Sequence, residues 1–324
     1  MITFACARGS KRAQSATLFS KRGARGAVKT LEWIRASQAL LFEASVIPVI
    51  VGTAAAIHAG ARFDAAWFAL IVISLVGIQA GANLFKGYYE GRDRSVPPAS
   101  PGSWFAFDST AATNLTSDPE DVLRLGRICF GLGAAAGLLL VALSRNPLLL
   151  GFGLAGALLA WSYSSPPLQL SYRGIGELST FFAFGPVMTV GATVAFGGAG
   201  LRESAFASVV LGFLAAAISF ARYFPNREED VSKGKATPVT ILGFAKGRRA
   251  FLGLLIAPLP FGIVWYLFGG GVLWIMAVLG SFLAVVLLFP KEQVGARFER
   301  VVAGAIAAHI IVGFALIVDL AVGL

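Results

Sequence analysis

Ala65-Ala-Trp-Phe-Ala-Leu-Ile-Val-Ile-Ser-Leu-Val-Gly-Ile-Gln-Ala-Gly-Ala-Asn83-Leu-Phe-Lys86-Gly-Tyr-Tyr-Glu90-Gly-Arg92-Asp93 sets the reading of the whole chain. Its first part is an apolar run near the ~20 residues that cross a bilayer. Its second part is charged, and charge at the edge of a membrane span is expensive enough to mark a site. A second stretch has the same form. An apolar run over 205–222 ends in Arg222-Tyr-Phe-Pro-Asn226-Arg227-Glu228-Glu229-Asp230-Val-Ser-Lys233-Gly-Lys235. Both mix carboxylates with Lys and Arg. Together they suggest one pocket built from two helix ends, with carboxylates for a divalent metal and cations for a phosphate.

The rest of the 324-residue chain agrees with a membrane setting. It is 56% hydrophobic and only 14% charged, against about a quarter charged in soluble domains, and its mean hydropathy is +0.75. Nine spans are expected, at 38–58, 65–85, 124–143, 147–163, 176–197, 205–222, 250–268, 270–289 and 301–321. The fold class is therefore an all-α bundle of nine transmembrane helices. Of the 27 Lys and Arg, all but Arg62, Arg145 and Arg202 fall in the N-terminal segment and the even-numbered loops. The positive-inside rule then puts those segments, and both polar clusters, on the cytoplasmic side, with the C-terminus outside. The same asymmetry explains the net charge of +10 without nucleic acid. Two cysteines and two histidines argue against a disulfide framework, a zinc site or a haem centre.

Residues 1–30 are basic and free of acids, as expected of an unstructured cytoplasmic tail near anionic lipid, although a transit peptide has similar composition. The membrane domain follows over 31–324. The long second loop, with Pro97-Pro98 and then Trp104-Phe105-Ala-Phe107, reads as a lid at about 94–121. Ser117-Asp118-Pro119-Glu120-Asp121 has the capping residue, proline and acids of a helix start.

Helical spacing supports the shared pocket. Asn83, Lys86 and Glu90 fall at i, i+3 and i+7, with Asp93 a turn further; Arg222, Asn226, Asp230 and Lys233 fall at i, i+4, i+8 and i+11 if that segment stays helical through Pro225. Such a set suits a Mg2+–diphosphate: Mg2+ takes one or two carboxylates plus substrate phosphates, and Lys and Arg hold the other phosphate oxygens. Ordinary solvated helix ends would also carry these charges. Tyr163-Ser-Ser-Pro166-Pro167 through Tyr172-Arg173-Gly174-Ile-Gly176-Glu177 forms a tight connection, and its Arg173 and Glu177 read most simply as an i, i+4 pair. Glu43 is an acid in apolar company, expected to face the bundle interior. His309 is expected to be packed and hydrogen-bonded.

Four stretches, in order, resemble the UbiA superfamily of intramembrane prenyltransferases, most closely its 1,4-dihydroxy-2-naphthoate prenyltransferase branch. These are Trp33-Ile-Arg35 through Pro48-Val-Ile-Val-Gly52; Gly81-Ala-Asn83-Leu84 with Tyr88; Tyr163 through Glu177 with Phe184-Gly185-Pro186; and Asp230-Val-Ser-Lys233-Gly234-Lys235-Ala-Thr237 with Leu242-Gly243. The family's first motif reads Asn-Asp-x-x-Asp, and here those positions hold Lys86, Gly87 and Glu90. Its second reads Asp-x-x-x-Asp, and here it is Asn226 and Asp230.

The resemblance implies transfer of a prenyl chain from a polyprenyl diphosphate to an aromatic acceptor, first of all dihydroxynaphthoate in quinone biosynthesis, in a lipid bilayer such as a bacterial inner membrane. It implies catalysis around Asn83, Lys86, Glu90, Asp93, Asn226 and Asp230, with Mg2+ as cofactor on Glu90, Asp93, Asn226 and Asp230. Arg92, Arg222, Lys233 and Lys235 would bind the diphosphate, and Tyr163, Tyr172 and Arg173 the acceptor. A different acceptor, or a non-catalytic lipid-binding or transport protein on the same bundle, are the alternatives.

Overall fold

The computed structural model describes residues 30–91, 103–105, 107, 110–116, 118–267, 269–290 and 295–322. The basic tail up to residue 29, Arg92, Asp93 and much of the expected lid lie outside them. All regular structure among the described residues is helical: α1 Ala39–His58, α2 Ala65–Gly91, α3 Glu120–Ser144, α4 Pro147–Ser164, α5 Gly176–Ala195, α6 Leu201–Ala221, α7 Arg227–Ser232, α8 Pro238–Leu267, α9 Leu273–Leu288 and α10 Glu299–Val322.

Eight of these helices are long and apolar enough to cross a membrane. The segment expected as the eighth span, 270–289, forms α9, which has 16 residues. At 1.5 Å per residue it is about 24 Å long, short of the ~30 Å hydrocarbon core. α6 is the central helix, with 78% of its apolar stretch buried; α3 and α4 are outermost, with 17% each. Leu132, Leu138, Leu148 and Leu154 on those outer helices are exposed, as suits side chains facing lipid.

Local chemistry sets the helix starts. Asn146 Oδ1 accepts from Leu148 N before α4, and Thr237 Oγ1 accepts from Thr240 N before α8, each with a proline next in the chain. Asp118 Oδ1 accepts from Glu120 N at the start of α3, where the acidic run led one to expect it. Small residues set the closest crossings. A Cβ on Gly77 of α2 would lie 2.8 Å from Gly133 Cα of α3, and one on Gly185 of α5 would lie 2.4 Å from Ser208 O of α6. Gly185 lies in a π-helical turn, Ala183–Val187, that contains Pro186; a proline that cannot donate an N–H accounts for the widened turn.

Polar groups inside the bundle pair across helices. Ser45 Oγ donates to Gln79 Oε1 at 2.6 Å, and Gln79 Nε2 donates to Leu41 O at 2.7 Å. Glu43 Oε2 and His309 Nδ1 are 2.8 Å apart, joining α1 to α10. His309 is fully buried as expected, and it supplies the partner that the sequence did not show for Glu43.

The expectation of one continuous helical face from Arg222 to Lys233 is corrected. α6 ends at Ala221, the chain turns through 222–226, and α7 is separate. Pro225 cannot donate to a helical ladder. Phe224, 1% exposed, also anchors the turn. Its ring sits 5.1 Å from Phe289, 5.2 Å from Phe298 and 5.8 Å from Phe251, centroid to centroid.

The described part of the second loop packs on the helix ends around α2. Ala111 and Ala112 bury against Leu84, Phe85, Tyr88 and Val122. Thr113 Oγ1 donates to Gly91 O at 3.1 Å. Phe107 is buried and lies under the Arg222 guanidinium, 5.0 Å from its ring centroid.

Candidate active site

α2 continues six residues past the expected end of its span, and this extension carries Lys86 and Glu90 on one helical face into the protein. Lys86 is 8% exposed and Glu90 2%. Glu90 Oε2 lies 2.6 Å from Lys235 Nζ, and the same ammonium lies 3.3 Å from Asp230 Oδ1. One lysine therefore bridges carboxylates from the two segments singled out in the sequence. Lys235 is fixed from behind: its N–H donates to Asp230 O at 2.9 Å, and the next N–H, of Ala236, donates to Tyr172 O at 3.0 Å. Its ammonium also sits 4.9 Å from the Tyr172 ring centroid. Lys233 Nζ donates to Glu229 Oε1 at 2.6 Å and to Glu90 O at 2.7 Å, a cation on one of the last carbonyls of α2.

Burial and charge shape the titrations on the loop side of this cluster. Burial opposes the Lys235 ammonium, but Glu90 and Asp230 together raise its pKa above the usual lysine value. Burial pushes the Asp230 carboxyl up to about 6 against the pull of Lys235. Burial raises the Tyr172 hydroxyl, with Glu90 adding to the rise, and raises Tyr223 well above the usual tyrosine range. Both phenols stay protonated.

Several buried groups remain without a protein partner. Lys86 Nζ makes no hydrogen bond or ion pair with a described residue, while Arg222 Nε and Asp230 Oδ2 are buried without hydrogen-bond partners. Among the described residues, Glu90 Oε1 meets only the Ser164 hydroxyl, at 3.4 Å. Unsatisfied buried polar groups are uncommon and point to an absent ligand or ion. Two carboxylate oxygens not taken up by Lys235 fit one Mg2+ that completes its shell with phosphate and water. No group of three His, Cys, Asp or Glu converges among the described residues, so on their own they offer no ion a full protein donor set, and phosphate and water must complete the shell.

Two cavities meet at this cluster. The larger, about 300 Å³, runs among α2, α3, α4, α5 and α6 between apolar walls such as Ile78, Leu140, Phe152, Phe184 and Met188; Asn83, Lys86, Tyr163, Ser219 and Arg222 supply polar groups to its lining. The smaller, about 20 Å³, is lined by Lys86, Glu90, Phe107, Tyr163, Ser171, Arg222, Tyr223, Asn226, Glu229, Asp230 and Lys235. Lys86, Tyr163 and Arg222 belong to both. The arrangement is a polar head compartment joined to an apolar tail compartment.

The other expected site residues fall unevenly. Asn83 lines the large cavity, and its amide donates to Ser37 O at 2.9 Å. Asn226 lines the polar one. Tyr163 OH is 3.0 Å from Ser219 Oγ at the junction. Tyr172 reaches the cluster only through Lys235. Arg173 is exposed and donates to Pro167 O at 2.9 Å. It does not pair with Glu177, which lies beside the Tyr223 hydroxyl instead. The 3-10 turn over 170–172 breaks the helical register that an i, i+4 pair needs. Ser164, Ser219 and Tyr223 were not singled out in the sequence, and Phe107 was read only as part of the lid. The only hint was polar hydroxyls beside otherwise apolar runs.

The chain matches the UbiA prenyltransferase family over residues 45–300 and belongs to that family. With its apolar helices, this makes it an integral membrane protein. It is 29% identical over 236 residues to the 1,4-dihydroxy-2-naphthoate octaprenyltransferase of Mycobacterium tuberculosis, covering 69% of this chain and 74% of that one. It is 26% identical over 218 residues to the 2-carboxy-1,4-naphthoquinone phytyltransferase of Synechocystis, covering 67% and 68%. Its fold is similar to that of a UbiA homolog from Archaeoglobus fulgidus bound to DMAPP and Mg2+, with a TM-score of 0.62 at 16% identity over 89% of this chain and 99% of that one.

Proposed function

We propose that this protein transfers a prenyl chain from a polyprenyl diphosphate to an aromatic acceptor, with 1,4-dihydroxy-2-naphthoate the first candidate. The observation that carries the reading is the junction at Lys86. A buried, unpaired ammonium faces both a polar compartment with orphaned groups and an apolar cavity of about 300 Å³. Its relatives named as naphthoate prenyltransferases support the choice of acceptor.

In this reading the diphosphate occupies the polar compartment, where Lys86, Arg222 and Lys235 bind its oxygens and Glu90, Asp230 and Asn226 would hold Mg2+. The metal supplies Lewis-acid stabilisation of the leaving diphosphate as negative charge grows on it. The prenyl tail lies along the apolar cavity, whose walls keep water from the allylic cation. The acceptor ring sits near Tyr163 and Ser219. Its ring carbon forms the new C–C bond as the C–O bond to diphosphate breaks, and the ring regains aromaticity by releasing the group on that carbon, as H+ or, where that group is a carboxylate, as CO2. Arg173 lies outside this arrangement. The tail, the lid and the cytoplasmic placement of the site in a bacterial inner membrane complete the reading. Positive-inside asymmetry supports the orientation.

The test is incubation of purified protein with radiolabelled prenyl diphosphates, Mg2+ and a panel of naphthoate, benzoate and glyceryl phosphate acceptors. Label in a naphthoate product is expected, and excess EDTA should abolish it. Transfer only to a glyceryl phosphate would replace the acceptor assignment.

A further inference from the structure

The polar compartment has an unusual charge balance. Lys86, Arg222 and Lys235 face it with Glu90, Glu229 and Asp230. Glu229 is taken up by Lys233 at 2.6 Å. Among the described lining residues, three cations then stand against two carboxylates, leaving one positive charge in excess before any ligand enters. A compartment built to gather several divalent ions would be acidic, because each ion needs carboxylate oxygens.

The geometry points the same way. The space between Glu90 and Asp230, where a bridging metal would be expected, holds the Lys235 ammonium, 2.6 Å from one carboxylate and 3.3 Å from the other. Asp230 Oδ2, on a residue 3% exposed, remains without a partner. Lys86 brings a cation rather than an oxygen ligand to the inner face of the compartment, at its junction with the apolar cavity. A prenyl diphosphate carries about three negative charges near neutral pH, since phosphate oxygens are largely ionised there. One divalent ion added to the single excess positive charge balances them. Two would leave the buried compartment over-charged, and none would leave the anion under-neutralised.

We infer that this site binds its prenyl diphosphate with a single divalent ion, and that the Lys86 ammonium supplies the charge that a second ion would otherwise bring. The inference rests on the proposed function and specifies the cofactor stoichiometry of that same site.

The experiment is a titration of Mn2+, followed by its electron paramagnetic resonance signal. It uses the purified full-length protein saturated with geranyl S-thiolodiphosphate, a poorly reactive analogue. One Mn2+ per chain is expected. Lys86→Met should keep one ion but weaken analogue binding about ten- to a hundredfold, the loss of one charge-assisted contact of roughly 1.5–3 kcal/mol. Lys86→Asp should bind two ions, because a carboxylate then replaces the cation. A parent that binds two ions or none, or a Lys86→Met variant with unchanged affinity and a normal melting temperature, would overturn the inference while leaving prenyl transfer intact. No analogue binding at any Mn2+ concentration would overturn the functional reading as well.

Discussion

At the scale of single residues, the two lysines of the polar compartment have different jobs. Lys235 is built into the protein, bridging Glu90 and Asp230 and lying against Tyr172. Removing one partner of a buried ion cluster leaves uncompensated charge, at a cost of about 3–5 kcal/mol. Lys235→Met should therefore lower the melting temperature markedly, besides weakening ligand. Lys86 has no such partner, so Lys86→Met should melt close to the parent while losing affinity. Thermal denaturation of both variants in the same detergent checks the contrast. Equal losses of stability would mean that Lys86 is structural. The sequence showed Lys86, Glu90, Asp230 and Lys235 as chemistry-bearing residues because charge beside an apolar run stands out. It did not show which cation would pair with which acid, because that depends on how the loop at 233–237 folds back onto α2. Arg173 stood out equally and lies on the surface, because a charged residue in a tight turn satisfies the same pattern whether it faces a ligand or water.

At the scale of elements, most spans were legible to within a few residues, although α8 begins at Pro238, well before the expected 250. α7 was not legible, because helical periodicity continues on paper through Pro225 whatever the backbone does. The cause is tertiary: the aromatic nest around Phe224 holds the turn from Arg222 to Asn226. Truncating a buried phenylalanine costs about 3–5 kcal/mol. Phe224→Ala should therefore destabilise the protein by that order and loosen the turn that carries Arg222. Hydrogen–deuterium exchange over 222–236 gives the local readout. Unchanged protection there would show that the turn is held by something other than its aromatic anchor. α2 ran past its expected end because Glu90 and Gly91 carbonyls find partners in Lys233 and Thr113, long-range contacts that no local pattern reveals.

At the scale of the whole molecule, one bundle joins an apolar cavity that opens among the outer helices to a polar compartment at the ends of α2 and α6. Lys86, Tyr163 and Arg222 stand at the boundary. The resemblance of the chain to its family was legible because the Tyr163–Glu177 and Asp230–Thr237 signatures are specific. The altered acidic motifs were legible too, but their consequence was not, since it depends on where Lys86 and Lys235 come to rest. The central claim is that these two distant segments form one prenyl-diphosphate site that carries out transfer. The most direct measurement is the rate of transfer from radiolabelled geranylgeranyl diphosphate to 1,4-dihydroxy-2-naphthoate in lipid nanodiscs with Mg2+, for the parent and for the Glu90→Gln, Asp230→Asn double variant. Losing two charge-assisted interactions of roughly 1.5–3 kcal/mol each should cut the rate by at least about a hundredfold. An inactive parent that is folded, or a double variant as fast as an active parent, would contradict the claim.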